Sequence, residues 1–158
     1  MVSDITYLWT DEGWLYIAAV MDLYGQKIVG LSMSERMNKE LVINALKSGW
    51  LRSGRPTGVL LHSDRDSQYC SYDYQALLRG YGFICIMSRK GNCWDNAPME
   101  TFWGKMKYEW LLGQRFRTRD EARAAVFEYV EIFYNRVRLH ESNGYLTPEE
   151  YYRSFFTA

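Results

Sequence analysis

The hydrophobic pattern begins with short extended runs and takes on helical spacing only later. Residues 4–10 (DITYLWT) are β-branched and aromatic and predict a strand, which Asp11-Glu12-Gly13 breaks with turn residues. Residues 14–22 (WLYIAAVMD) predict a longer, more apolar strand, and the short link makes the pair a hairpin. Gly25-Gln26 turns the chain again before a third strand at 27–34. Over 37–52 the period changes: Leu41, Ala45 and Leu46 recur at helical spacing, and Gly54 and Pro56 end the run. Residues 58–63 (GVLLHS) predict a buried strand ending at Asp64, residues 71–80 a helix with Leu77 and Leu78 inward, and residues 83–87 a fifth strand. A polar loop over 88–96 surrounds Gly91. Asn96 then reads as an N-cap with Pro98 in the first turn of a helix reaching about Leu112. Another helix is expected over 119–134, with Ala122, Val126, Val130 and Phe133 apolar. Thr147-Pro148-Glu149-Glu150 is a capping box that starts a terminal helix. The order β-β-β-α-β-α-β-α-α-α predicts an α/β fold, a mixed five-stranded sheet with helices on its faces.

Composition bounds this picture. The chain has 158 residues, 47% hydrophobic and 24% charged, which suits one globular domain over residues 1–158 and excludes disordered, collagenous and low-complexity classes. Aromatic residues reach 16%, enough for an aromatic core or for a surface that meets a partner. The formal net charge is zero, but residues 79–119 hold eight bases and three acids, a net +5 offset by −5 elsewhere. Such a segment suits a polyanion or a solvated helix face. Cys70, Cys85 and Cys93 have neither disulfide-framework nor zinc spacing. The first residues lack a signal-peptide pattern and no apolar run approaches about 20 residues, so a reduced, cytoplasmic protein with no membrane span is expected.

Three acids stand out by position: Asp4 on the first strand, Asp64 at the end of the fourth, and Glu100 in the first turn of the helix after the polar loop. In sheets with α/β connections, ligand chemistry gathers near strand ends and the loops that follow. If the first and fourth strands are neighbours, Asp4 and Asp64 can face one another, with Glu100 approaching from the helix. Clustered carboxylates repel unless a cation neutralises them, and their hard oxygens suit Mg²⁺ and phosphodiester chemistry. From position alone, Asp4 is equally well an edge-strand surface acid and Glu100 a favourable charge at a helix N-terminus.

The local sequence around these acids, HSDRDSQY and SRKGNCWDNAPMETFWGKMKYE, resembles the bacterial insertion-sequence transposases of the retroviral-integrase superfamily, in particular the insertion sequence three type. The likeness continues through WTDEGWLYIAAVMDLYGQKIVG and FYNRVRLHESNGYLTPEEY and so covers essentially the whole chain in order. Thirty-five residues separate Asp64 from Glu100, the spacing of that family's Asp-Asp-Glu signature. The resemblance implies a ribonuclease H-like fold and a metal-binding catalytic triad of Asp4, Asp64 and Glu100. It implies Mg²⁺ as cofactor, with Mn²⁺ able to substitute. Lys107 falls at the position of the family's basic residue, seven after the glutamate and two helical turns along one face.

The implied activity is metal-dependent DNA strand cleavage and transfer of 3′-hydroxyl ends. The implied partners are transposon ends and target DNA, with a homo-oligomer on the DNA, in a bacterial cytoplasm and associated with the nucleoid. A nuclease without strand transfer and an inactive truncated transposase acting as an assembly module are the alternatives. Relatives carry an N-terminal helix-turn-helix region, and nothing in these residues reads as one.

Other positions carry two readings each. Arg89 and Lys90 flank Gly91 beside the proposed metal site, where they can hold DNA phosphate or form an ordinary exposed turn. His62, two residues before Asp64, is a candidate ligand or a packed histidine. His140 contacts phosphate or ties down the last loop. Trp94 stacks on a base or covers the core. Asn96 is best explained as a helix cap. Asp66 departs from the family pattern, which has glycine there, and adds negative charge near the proposed metals.

Overall fold

The predicted elements form in the predicted order in the computed structural model of the chain, which describes residues 1–88 and 96–157. Strands β1 (Val2–Thr10) and β2 (Gly13–Asp22) make an antiparallel hairpin across a two-residue turn. The Thr10 hydroxyl closes that turn: it donates to the Gly13 carbonyl at 2.7 Å and accepts from the Glu12 N–H at 3.2 Å. Gly13 sits at φ +118°, a conformation that a side chain disfavours. Strand β3 (Lys27–Ser34) continues the meander. Strand β4 (Leu60–Ser63) lies parallel to β1, and β5 (Ile84–Met87) lies parallel to β4. The sheet order is β3-β2-β1-β4-β5. Strand β1 is therefore interior, which removes the reading of Asp4 as an edge-strand acid.

The apolar run of β2 reflects burial on both faces, and its alternation sorts the core into two layers. Leu15, Ile17, Ala19 and Met21 pack with Met99, Phe102, Trp103 and Met106 of α3 (Ala97–Met106) and with Ala122 and Val126 of α4 (Arg119–Phe127). Ala18 and Val20 face the other way, with Leu41, Val42, Ala45 and Leu46 of α1 (Lys39–Arg52) and Tyr74 and Leu78 of α2 (Tyr72–Gly80). Helix α1 crosses β3 so closely that a Cβ at Gly30 would lie 2.2 Å from the Ala45 carbonyl oxygen, so only glycine fits. The aromatic residues divide between core and surface. Tyr69, Tyr74, Phe102, Tyr129 and Tyr134 are fully buried, whereas Tyr7, Trp9 and Trp14 form an exposed edge-to-face group on the hairpin.

Side-chain caps form at helix starts, including the capping box expected at Thr147. Ser71 and Thr118 accept from Tyr74 N and Glu121 N. At the start of α5 (Pro148–Thr157), Thr147 N–H donates to Glu150 at 2.9 Å while Glu150 N–H donates to the Thr147 hydroxyl at 3.2 Å. The structure departs from the sequence reading at the ends of two helices. After α3, Lys107–Leu111 widens into a π-helical stretch, and after α4, Glu128–Tyr134 does the same. Tyr129, Val130 and Tyr134 stay in the core through this stretch, at the i+3, i+4 and i+8 positions from Val126 that an amphipathic helix also buries. The segment that follows is stitched to the β2–β3 turn. Tyr134 Oη donates to the Gln26 carbonyl at 3.0 Å and Asn143 Nδ2 to that of Gly25 at 2.9 Å. Asn135 exchanges two hydrogen bonds with the backbone of Ile28, as a neighbouring strand would.

Candidate active site

The parallel pairing of Val2 with His62 sets the geometry of the acids. Two residues further along each chain stand Asp4 and Asp64, so strands far apart in sequence bring the two carboxylates to one place. The Ser3 hydroxyl lies 3.0 Å from the hydroxyl of Tyr69, which anchors the loop after Asp64 against β1. Helix α3 runs over β1 and is joined to it twice: Trp103 Nε1 donates to Asp4 Oδ2 at 3.1 Å, and Lys107 Nζ donates to Thr6 Oγ1 at 2.9 Å. Glu100 occupies the exposed first turn of the same helix.

The electrostatics of the acids are linked. Burial pushes the Asp4 carboxyl up to about 6. The Ile5 N–H and the Trp103 indole oppose that rise, while the charges of Asp64 and Asp66 add to it. Burial also pushes Asp64 up, followed by Asp66 and Glu100, with the Asn96 amide opposing. Asp64 is thus the acid that Asp4 and Glu100 share as a neighbour. Asp66, expected to add negative charge, does so at both aspartates. No group of three or more His, Cys, Asp or Glu side chains gathers at metal-holding distance among the described residues. The donor set nevertheless fits a hard divalent cation: it is all carboxylate oxygen, and burial together with neighbouring negative charge raises Asp4 and Asp64 in a way that a cation relieves.

Asn96 corrects the sequence reading. It stands at the N-cap position of α3, yet its side chain makes no capping bond. Its Nδ2 instead donates to Asp64 Oδ1 at 2.8 Å. Trp103 and Thr6 likewise touch the candidate residues and were not singled out from sequence. The available signal was their spacing, since Asn96, Glu100, Trp103 and Lys107 recur at four, three and four residues, one stripe of a helix.

The remaining candidates sort clearly. Burial pushes the Lys107 ammonium down, and Lys107 forms no ion pair among the described residues. Arg89 and Lys90 lie outside the described residues, as do Trp94 and Cys93. His140 is buried, edge-on to Tyr134 at 5.0 Å, and its backbone N–H bonds Leu146. Burial and the nearby Arg138 and Lys105 push its ring down to about 4, and the bonds that tie the last loop to it run through its backbone. The Nδ1 of His62 has no partner among the described residues. Cys70 and Cys85 are free thiols. Among the described residues of the +5 segment, two arginines are paired with distant acids: Arg115 with Asp11 of the β1–β2 turn at 3.2 Å and Arg119 with Glu35, just past β3, at 3.6 Å.

This arrangement of strands and acids has relatives. Two family profiles, both described as "Integrase core domain", match residues 1–93 and 81–148. The chain is 53% identical over 148 residues to the insertion element IS600 uncharacterized 31 kDa protein of Shigella sonnei, covering 93% of this chain and 54% of that one. It is 48% identical over 149 residues to transposase InsF for insertion sequence IS3A of Escherichia coli, covering 94% and 52%. The chain therefore spans about half the length of these relatives. Among solved structures, the HTLV-2 integrase catalytic core domain in complex with magnesium superposes with a TM-score of 0.72 at 14% identity, covering 96% of this chain and 93% of that one. A chain of the simian T-cell lymphotropic virus intasome in complex with PP2A regulatory subunit B56 gamma gives 0.75 at 13%, covering 96% and 52%. The ribonuclease H-like fold, with Asp4 and Asp64 on adjacent parallel strands and Glu100 on the helix laid over them, thus goes together with a direct sequence match over more than half of its length, and the chain belongs to the integrase core domain family.

Proposed function

We propose that this chain is the catalytic core of an insertion-sequence transposase, which cleaves DNA strands and transfers their 3′-hydroxyl ends in a reaction dependent on Mg²⁺ or Mn²⁺. The observation that carries the reading is the placement of Asp4 on β1, Asp64 just past β4 and Glu100 in the first turn of α3, with Asp64 coupled electrostatically to each of the others, in a chain about half identical to a transposase. Asp4, Asp64 and Glu100 hold the cation. Lewis-acid stabilisation of phosphate charge and activation of the attacking oxygen are what a divalent cation supplies when bound there. Lys107, one helix stripe further on, holds a DNA phosphate next to the cut, and Arg89 and Lys90 extend that contact. Attack by water or by a 3′-hydroxyl on phosphorus is direct and needs no covalent protein intermediate.

The partners on this reading are transposon ends and target DNA, held by more than one copy of the chain. The related viral core is described in dimeric and trimeric forms, which supports assembly. Among the described residues no helix is long and apolar enough to cross a membrane, consistent with work at the nucleoid.

The test is metal-dependent release and joining of labelled DNA ends by the wild type and by Glu100→Gln. Glu100 is exposed in the first turn of α3, so the variant should fold, lose both reactions and keep its DNA affinity. Undiminished cleavage by the folded variant would remove the proposal. Release without joining by the wild type would identify a nuclease, and neither reaction an assembly module.

A further inference from the structure

We infer that Asn96 and Trp103 are positioning residues that hold the carboxylates of Asp64 and Asp4 in the orientation that binds a divalent cation. On this inference α3 carries one metal ligand, Glu100, and aims the other two. It rests on the proposed metal role of the three acids and names how their geometry is kept.

The first observation is what Asn96 does in place of capping. An asparagine at an N-cap ordinarily accepts from the backbone N–H two or three residues on. Asn96 makes no such bond, and its amide donates to Asp64 Oδ1 at 2.8 Å. The residue is 6% exposed, and its own Oδ1 has no partner among the described residues. A buried amide that leaves its acceptor unpaired and its helix uncapped is unfavourable locally. Among the described residues, the bond to Asp64 is the side-chain hydrogen bond that offsets it.

The second observation is independent and lies two helical turns away. The Trp103 ring is buried beside Phe102, with centroids 4.8 Å apart, and its only polar atom donates to Asp4 Oδ2 at 3.1 Å. Packing therefore fixes the donor, and the donor fixes the carboxylate.

The chemical character of the two donors is the third. Both are neutral. An arginine or lysine at either place would orient the acid but cancel its charge, in competition with a cation. An amide and an indole N–H orient the acid and leave its charge in place. The helix does carry a cation on the same stripe, Lys107, and it is directed to Thr6, two residues beyond Asp4 on β1. Partners that orient metal-binding side chains typically change metal affinity by roughly 10–100-fold when removed.

The experiment measures Mn²⁺ binding to the full chain directly, from the electron paramagnetic resonance signal of free Mn²⁺, for the wild type, Asn96→Ala and Trp103→Phe. Each variant is expected to bind Mn²⁺ about 10–100-fold more weakly. Asn96→Ala removes no cap, so any fall in its melting temperature in EDTA is limited to the lost bond to Asp64. Strand cleavage should fall in kcat with the KM for DNA unchanged. A purely structural role would move the melting temperature and leave affinity alone. Trp103→Phe can also loosen the core, but Asn96→Ala tests its own assignment without that complication, and each assignment stands or falls with its own variant. Affinity within threefold of wild type in Asn96→Ala and Trp103→Phe would overturn the inference. If Glu100→Gln still abolished cleavage, the metal site itself would survive. A wild-type chain that binds no Mn²⁺ would overturn both.

Discussion

Replacing Asp4 by Asn should make the metal-free protein more stable while destroying its activity. The Asp4 carboxyl goes from 3.8 to about 6 on folding, chiefly because it is buried on an interior strand. A carboxyl whose folded value lies above its unfolded value penalises the folded state wherever it must ionise. At about 1.4 kcal/mol for each tenfold change, the penalty is about 3 kcal/mol at pH 8. It shrinks to about 1 kcal/mol at pH 4.5, where the folded carboxyl is already protonated, and vanishes below about pH 3. Asn keeps the volume and still accepts the Trp103 indole N–H, so the charge is the main thing removed. For a chain of this size, about 3 kcal/mol corresponds to roughly 6–12 °C in melting temperature. Thermal unfolding of wild type and Asp4→Asn in EDTA should show that gap at pH 8 and a much smaller one at pH 4.5. Mg²⁺ should then raise the wild-type melting temperature and leave that of Asp4→Asn nearly unchanged, because a ligand stabilises only the state that binds it. An Asn variant no more stable than wild type at pH 8 would refute the argument, as would a gap independent of pH.

Three further outcomes are expected. Lys107→Ala should weaken DNA binding about equally for all sequences and lower the salt slope by roughly one, measured by titration at several salt concentrations; unchanged affinity and slope would make Lys107 a surface residue only. Asn135→Ala should cost about 2–4 kcal/mol in denaturant unfolding, because it strips both backbone partners from Ile28 in the core; a loss under about 0.5 kcal/mol would mean that water replaces the amide. The chain alone should bind DNA with a Kd of roughly 10⁻⁴–10⁻⁶ M at physiological salt and little preference for transposon ends, since phosphate contacts position without specifying; a hundredfold preference in competition against a scrambled duplex would place sequence reading within these residues.

What the sequence determined by itself is local. The hairpin turn at Asp11-Glu12, the strand-to-helix change of period near residue 37 and the capping box at Thr147 depend on neighbours a few residues apart, and all three formed. The three acids proposed for the site were picked out through the spacing and motifs around Asp64 and Glu100. Tertiary structure decided the rest. Asp4 and Asp64 become neighbours only because the order β2-β1-β4 places β1 inside the sheet. Two arginines of the positive segment, Arg115 and Arg119, are paired by Asp11 and Glu35, acids remote in sequence that only the fold brings to them. Asn96 is the sharpest case. A capping bond is worth about 1 kcal/mol, whereas a hydrogen bond to a charged group is worth about 1.5–3 kcal/mol. Local chemistry alone therefore assigns Asn96 to its helix, but the fold brings a carboxylate within 2.8 Å, and the stronger partner takes the side chain.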